Sequence, residues 1–136
     1  MVFQNSITGQ NITKTLDDYK KKKLQILKSN EADILKKEKN LISQKNILSP
    51  DEYEKKINEL KKEINQFNLD KNNISNEYEK KKNDQLKLFM QRLRPVIEEY
   101  IEKNSISMVF NQKNLFIADK KYDITKQIIE IIDNNN

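Results

Sequence analysis

Lys80, Lys81 and Lys82 stand in an unbroken run, and adjacent ammonium groups are suited to one kind of chemistry, charge-assisted contact with phosphate or carboxylate oxygens. A solvated charge run on a helix face is the plain alternative. Beyond such contacts the chain has little to react with, since it contains no histidine and no cysteine, and its single glycine is Gly9. These absences remove the commonest general base, the best thiol nucleophile, any thiolate metal site and a glycine-rich phosphate cradle. Catalysis and nucleotide hydrolysis are not expected, nor is a metal or other cofactor.

The elements that position such residues follow from composition. Of 136 residues, 35% are hydrophobic and 35% charged, with one glycine and two prolines, so the chain has few places to reverse and too little apolar content for a compact globule. Long uninterrupted helix is the expectation. The 26 basic and 21 acidic residues give a net charge of +5, which permits attraction to nucleic acid, anionic lipid or acidic protein without choosing among them. No clustered reading motif for nucleic acid is present. No apolar run approaches the roughly 20 residues that span a bilayer, and Met1-Val2-Phe3-Gln4-Asn5 lacks the pattern of a signal peptide.

From Asn11 the spacing predicts a helix, with Ile12, Leu16 and Tyr19 opening an apolar stripe that Leu27, Ile34, Leu41 and Leu48 continue at seven-residue intervals. Such a repeat requires a partner helix. Ser49-Pro50-Asp51-Glu52 supplies its start: Ser49 can cap, Pro50 suits the first helical position and two acids face the positive helix end. In this second helix Tyr53, Ile57, Leu60, Ile64, Phe67, Lys71, Ile74 and Tyr78 alternate steps of four and three. Past Tyr78 the stripe continues through Lys82, Leu86, Phe89, Leu93, Val96 and Tyr100 only with consecutive steps of four, a stutter that locally unwinds a supercoil. Lys71 and Lys82 on this face should loosen the seam, and Pro95 should kink the helix near Gln91. The hairpin would project on the order of 50 Å. Tyr53, Phe67 and Tyr78 are large enough to leave apolar edges for a flexible partner.

The pattern changes in the last thirty or so residues. Ile106, Met108 and Phe110 alternate with Ser107, Val109 and Asn111, the period of a strand with one buried face, and Leu115-Phe116-Ile117-Ala118 reads as a second strand after a polar turn. Asp123 can then cap a final helix whose Ile124, Ile128 and Ile131 share one face, which would lie on the hairpin. Two strands and a helix are not stable alone, so identical hairpins from other subunits, an N-terminal strand or both must close the edges.

These residues carry a resemblance to the Skp/OmpH family of periplasmic chaperones. A Lys/Glu helical hairpin with Asn46-Ile47-Leu48-Ser49-Pro50-Asp51-Glu52-Tyr53 at its tip is similar to that family. So is Leu93-Arg94-Pro95-Val96-Ile97-Glu98-Glu99-Tyr100 leading into Ser105-Ile106-Ser107-Met108-Val109-Phe110, with Asp123-Ile124-Thr125 opening a last helix. The resemblance implies a mostly α fold with a small β part: a coiled-coil hairpin arm on a small β-barrel oligomerisation body. It implies a periplasmic homotrimer that shelters unfolded outer-membrane β-barrel proteins without ATP. It also implies a body contributed by residues 1–10 and 93–136, an arm over 11–92 with its tip near 48–51, and assembly through Ile106, Met108, Phe110, Leu115 and Ile117. Lipopolysaccharide or an anionic membrane surface is the implied contact of Lys80, Lys81 and Lys82. The family begins with a secretion signal and a short strand, whereas Met1-Val2-Phe3 is expected to be the end of that strand, as in an N-terminally incomplete version. Two rival expectations remain: a structural or tethering coiled coil, and a basic nucleic-acid-binding protein.

Overall fold

The computed structural model of the chain describes residues 2–135. Four α-helices follow in order: α1 (Val2–Asn5), α2 (Ile7–Ser43), α3 (Pro50–Lys103) and α4 (Thr125–Asn134), with one-turn 3-10 helices at Gln112–Asn114 and Lys120–Tyr122. The residues divide into two compact units, one of residues 17–81 and one of 1–16 with 82–136.

The 17–81 unit is an antiparallel helix pair. Tyr19 meets Glu77, Lys37 meets Glu63 and Gln44 meets Lys56, so the partner number falls as the first rises. The seam is the expected one: Leu27, Ile34 and Leu48 are half-buried and Leu41 is buried. The reversal is fixed by a reciprocal cap in which Glu52 accepts from the Ser49 amide (3.1 Å) and hydroxyl (2.8 Å), while Ser49 Oγ accepts from the Glu52 amide. Hydrogen bonds from Ser49 hold the Glu52 carboxyl below its usual range. One seam position differs from the expectation, because Lys71 is exposed and Asp70 takes its place half-buried. The reason is cost: an ammonium leaves a closing seam readily, whereas the Asp70 carboxylate is satisfied by Gln66 Nε2 at 2.9 Å. Lys71 therefore does not loosen the seam.

The second unit closes on Phe89, Leu93, Ile128 and Ile132, with Val2, Phe3, Ile12, Val96, Ile97, Tyr100 and Ile124 packed around them. Half-buried or buried positions at 82, 86, 89, 93, 96 and 100 follow the stuttered spacing. Pro95 lies inside α3, which runs on to Lys103, so the missing N–H interrupts the ladder without ending the helix. Val2 and Phe3, expected to end a strand, are in α1, and the helix expected from Asn11 begins at Ile7. Two local contacts explain this. Phe3 sets its ring edge-on to Phe89 at 5.0 Å between centroids. The Phe3 carbonyl rests against Gly9, where any Cβ would overlap the carbonyl oxygen, so the single glycine is a packing requirement.

Helix α4 corrects a second expectation. It packs on α3 and α1 through Ile128 and Ile132, with Ile131 only half-buried, and not on a hairpin. Its start is as read from the sequence: Asp123 Oδ1 accepts from the Thr125 amide at 2.9 Å, and hydrogen bonding from Thr125 lowers the Asp123 carboxyl's pKa. Its end does something unanticipated. Asp133 accepts from the amides of Ile7 (3.0 Å) and Thr8 (3.4 Å) and from the Thr8 hydroxyl, so a carboxylate from α4 caps the N-terminus of α2.

Candidate assembly and binding surfaces

The first surface begins where α3 ends. Ser105 adopts φ 52°, the left-handed geometry of a helix C-cap, and the Ile106 amide returns to the Ile101 carbonyl at 3.0 Å, turning the chain out of the helix. Beyond it, no strand forms among the described residues, and the expected β-hairpin is absent. Each turn is instead held locally: Asn111 Oδ1 accepts from the Lys113 amide and Asp119 Oδ1 from the Lys121 amide, both at 3.1 Å. Between and before these turns, residues 107–110 and 116–118 make no main-chain hydrogen bond among the described residues. The physical reason is that a strand is a relation between two chains or segments, and these turns keep the two apolar runs from pairing with each other.

The side chains of this segment are correspondingly open. Met108 is 71% exposed, Phe110 60%, Leu115 39% and Ile117 83%, while Ile106 is half-buried. Phe116, at 98%, is the most open of the large apolar residues among those described. Of the five residues nominated from the sequence, four, Met108, Phe110, Leu115 and Ile117, are thus exposed within one stretch.

A second surface lies on the 17–81 unit. Tyr53, Phe67 and Tyr78, expected as apolar edges, are half-buried in the seam. The exposed large apolar residues are Leu24, Ile26, Leu35, Ile42, Ile47 and Leu69, of which the sequence reading named only Ile47, at the tip. Leu24, Leu35 and Ile42 are spaced by close to whole helical turns and share one face of α2, away from the seam; that 11-then-7 spacing was the available signal.

The third is cationic. Lys80 and Lys81 are exposed and Lys82 is half-buried, and successive helix positions point about 100° apart, so the run fans rather than converging. The antiparallel pairing brings other lysines to this level. The Lys81 ammonium sits 5.2 Å from the Tyr19 ring centroid, Lys23 sits 5.5 Å from the same ring and Lys20 lies 5.7 Å from that of Tyr78. Tyr19 donates to Glu77 at 2.6 Å; that bond, followed by Lys23 at 3.7 Å, lowers the Glu77 carboxyl's pKa, and the same bond to Glu77 raises that of the Tyr19 phenol. No group of three or more acidic residues among those described could hold a metal ion.

Comparison with known proteins decides what these surfaces belong to. Residues 1–132 match the family described as outer membrane protein (OmpH-like). The chain belongs to the OmpH-like family. Its fold is that of the crystal structure of an OmpH-like protein from Caulobacter crescentus, described as an outer membrane chaperone. That likeness has a TM-score of 0.94 at 17% identity and covers 99% of this chain and 80% of the other. No curated protein matches significantly. No described helix of this OmpH-like chain is long and apolar enough to cross a membrane.

Proposed function

We propose that this OmpH-like chain is an ATP-independent holdase chaperone that binds unfolded outer-membrane β-barrel proteins in the periplasm and keeps them from aggregating. It is not an enzyme. The observation that carries the reading is the open stretch from Ser107 to Ala118. Its residues 107–110 and 116–118 make no main-chain hydrogen bond among the described residues and its apolar side chains are exposed, which suits a partner of the same kind, and copies of this chain supply one by symmetry. Three copies pairing through Ile106, Met108, Phe110, Leu115 and Ile117 close a small shared β body. Residues 11–92 then form one arm per subunit, and residues 1–10 with 93–136 the body. The exposed Leu24, Leu35, Ile42 and Leu69 offer the arms' contacts to a client: non-directional, individually weak and additive over several arms. Family membership and the described chaperone from Caulobacter crescentus support the assignment.

The test is aggregation of an unfolded outer-membrane β-barrel protein diluted from denaturant. Suppression at a near-stoichiometric ratio of trimer, without nucleotide, is expected. A passive tether would give none, and a nucleic-acid-binding protein would instead show affinity for nucleic acid that falls steeply with salt.

A role for Lys80, Lys81 and Lys82 in contacting phosphate groups of lipopolysaccharide is a second proposal. The juxtaposition of Lys20 and Lys23 with Lys81 around Tyr19 and Tyr78 favours it. Replacing Lys80 and Lys81 by Gln should weaken lipopolysaccharide binding severalfold, and unchanged binding removes the proposal.

A further inference from the structure

Resting on the assembly reading above, we propose that Met108 is a reversible oxidation site whose state decides whether a protomer can join the shared body. The chain has no cysteine, so its sulfur chemistry belongs to three methionines, Met1, Met90 and Met108. Met1 lies outside the described residues. Met90, in α3, is 57% exposed and Met108 is 71% exposed, so both thioethers are open to a dissolved oxidant in the lone protomer. Their surroundings differ. Met90 stands on a helix whose main chain is already satisfied, whereas Met108 lies in residues 107–110, which make no main-chain hydrogen bond among the described residues. Met108 also shares the alternating face of Ile106 and Phe110, the face assigned to assembly.

The step is a two-electron oxidation by a peroxide. The sulfur lone pair attacks one peroxide oxygen, the S–O bond forms as the O–O bond breaks, and hydrogen peroxide leaves as water, so the sulfur is oxidised and the peroxide reduced. The thioether, a weak acceptor, becomes a polar sulfoxide. No charged residue lies between Asn104 and Gln112, and the side chains of Ile106, Phe110, Leu115 and Ile117 carry no hydrogen-bond donor. A sulfoxide enclosed among them is a buried acceptor without a partner, which opposes assembly. The protomer's own core is spared, because it closes on Phe89, Leu93, Ile128 and Ile132 without Met108. Assembly in turn covers the thioether, so the vulnerable form is the unassembled protomer. Methionine sulfoxide reductases reverse the change at the expense of two thiols, which become a disulfide while the oxygen leaves as water.

The experiment is partial oxidation of the full chain by hydrogen peroxide in urea, followed by refolding, separation of trimer from monomer and peptide mapping of each fraction. Met108 sulfoxide should be enriched at least about tenfold in the monomer, and Met90 sulfoxide should divide equally. The oxidised monomers should keep Ile128 protected from hydrogen exchange, and treatment with sulfoxide reductases should return them to trimers. Met108→Leu should trimerise even with Met90 oxidised. Met108 sulfoxide spread equally between the fractions, reduced chains that stay monomeric, or Met108→Leu trimers lost to peroxide overturns the oxidation site alone. Loss of protection at Ile128 overturns it too, by making the effect one of unfolding. A parent that forms no trimer before treatment overturns the assembly reading, and with it the role of Met108.

Discussion

Two apolar stretches adjoin in the sequence and end differently. Residues 106–118 hold Met108, Phe110, Phe116 and Ile117 open to solvent, whereas residues 124–132 bury Ile128 and Ile132 almost completely. The difference is not hydrophobicity but hydrogen bonding. A helix satisfies its own main chain and needs only an apolar face to cover, so α4 finds one on α3 and α1. An extended segment needs a neighbouring one for its amides, and the described residues offer no main-chain partner to 107–110 and 116–118. The protomer thus covers one half of its C-terminal region and leaves the other half open.

Breaking the completed half should give the largest stability effects. Phe89→Ala removes the side chain that Phe3 meets edge-on, and should cost about 3–5 kcal/mol in chemical denaturation. Gly9→Ala forces a Cβ onto the Phe3 carbonyl and should cost about 1–3 kcal/mol by displacing α1. Asp133→Ala removes the cap on α2 and should cost about 1 kcal/mol. The same measurement on Ile117→Ser should show almost no change in a monomeric fraction, because nothing in the protomer covers Ile117. A large loss there would erase the distinction between the halves.

Two smaller effects sharpen it. Ser105→Gly relieves the left-handed cap between α3 and residues 106–118 and should stabilise by up to about 1 kcal/mol, read as a raised Tm. The second concerns acid. The Glu52 carboxyl is lowered from 4.5 by its bonds to Ser49, so the stabilisation is fully present above about pH 5 and is lost as pH falls through the lowered value. Ser49→Ala should abolish that part of the acid dependence in the 17–81 helix pair and leave the second unit's core unaffected, as followed by hydrogen exchange at Glu52 and Ile128.

What the sequence made legible follows the same line. Leu27, Ile34, Leu41 and Leu48 announced a seam because a seven-residue period has one meaning, and Ser49-Pro50 announced the turn because capping is local chemistry. Asp123 announced α4 for the same reason. Where α4 docks was not legible, since Ile128 and Ile132 declare a buried face without naming its partner. Gly9 was read only as the absence of a phosphate loop, because close approach to Phe3 exists only after α1 folds back. Lys71 was misplaced by strict continuation of a four-three rhythm that the chain breaks to keep an ammonium in water. For the candidate site, the alternation at Ile106, Met108 and Phe110 was visible, but no strand forms there among the described residues, because alternation declares a face without supplying the segment to pair with.

The most direct test is native mass spectrometry of the chain beside its Phe110→Ser and Ile117→Ser variants. The account predicts trimers for the parent and folded monomers for both variants, with α4 still protected from hydrogen exchange. A parent that stays monomeric at every concentration, or variants that trimerise like the parent, would contradict it.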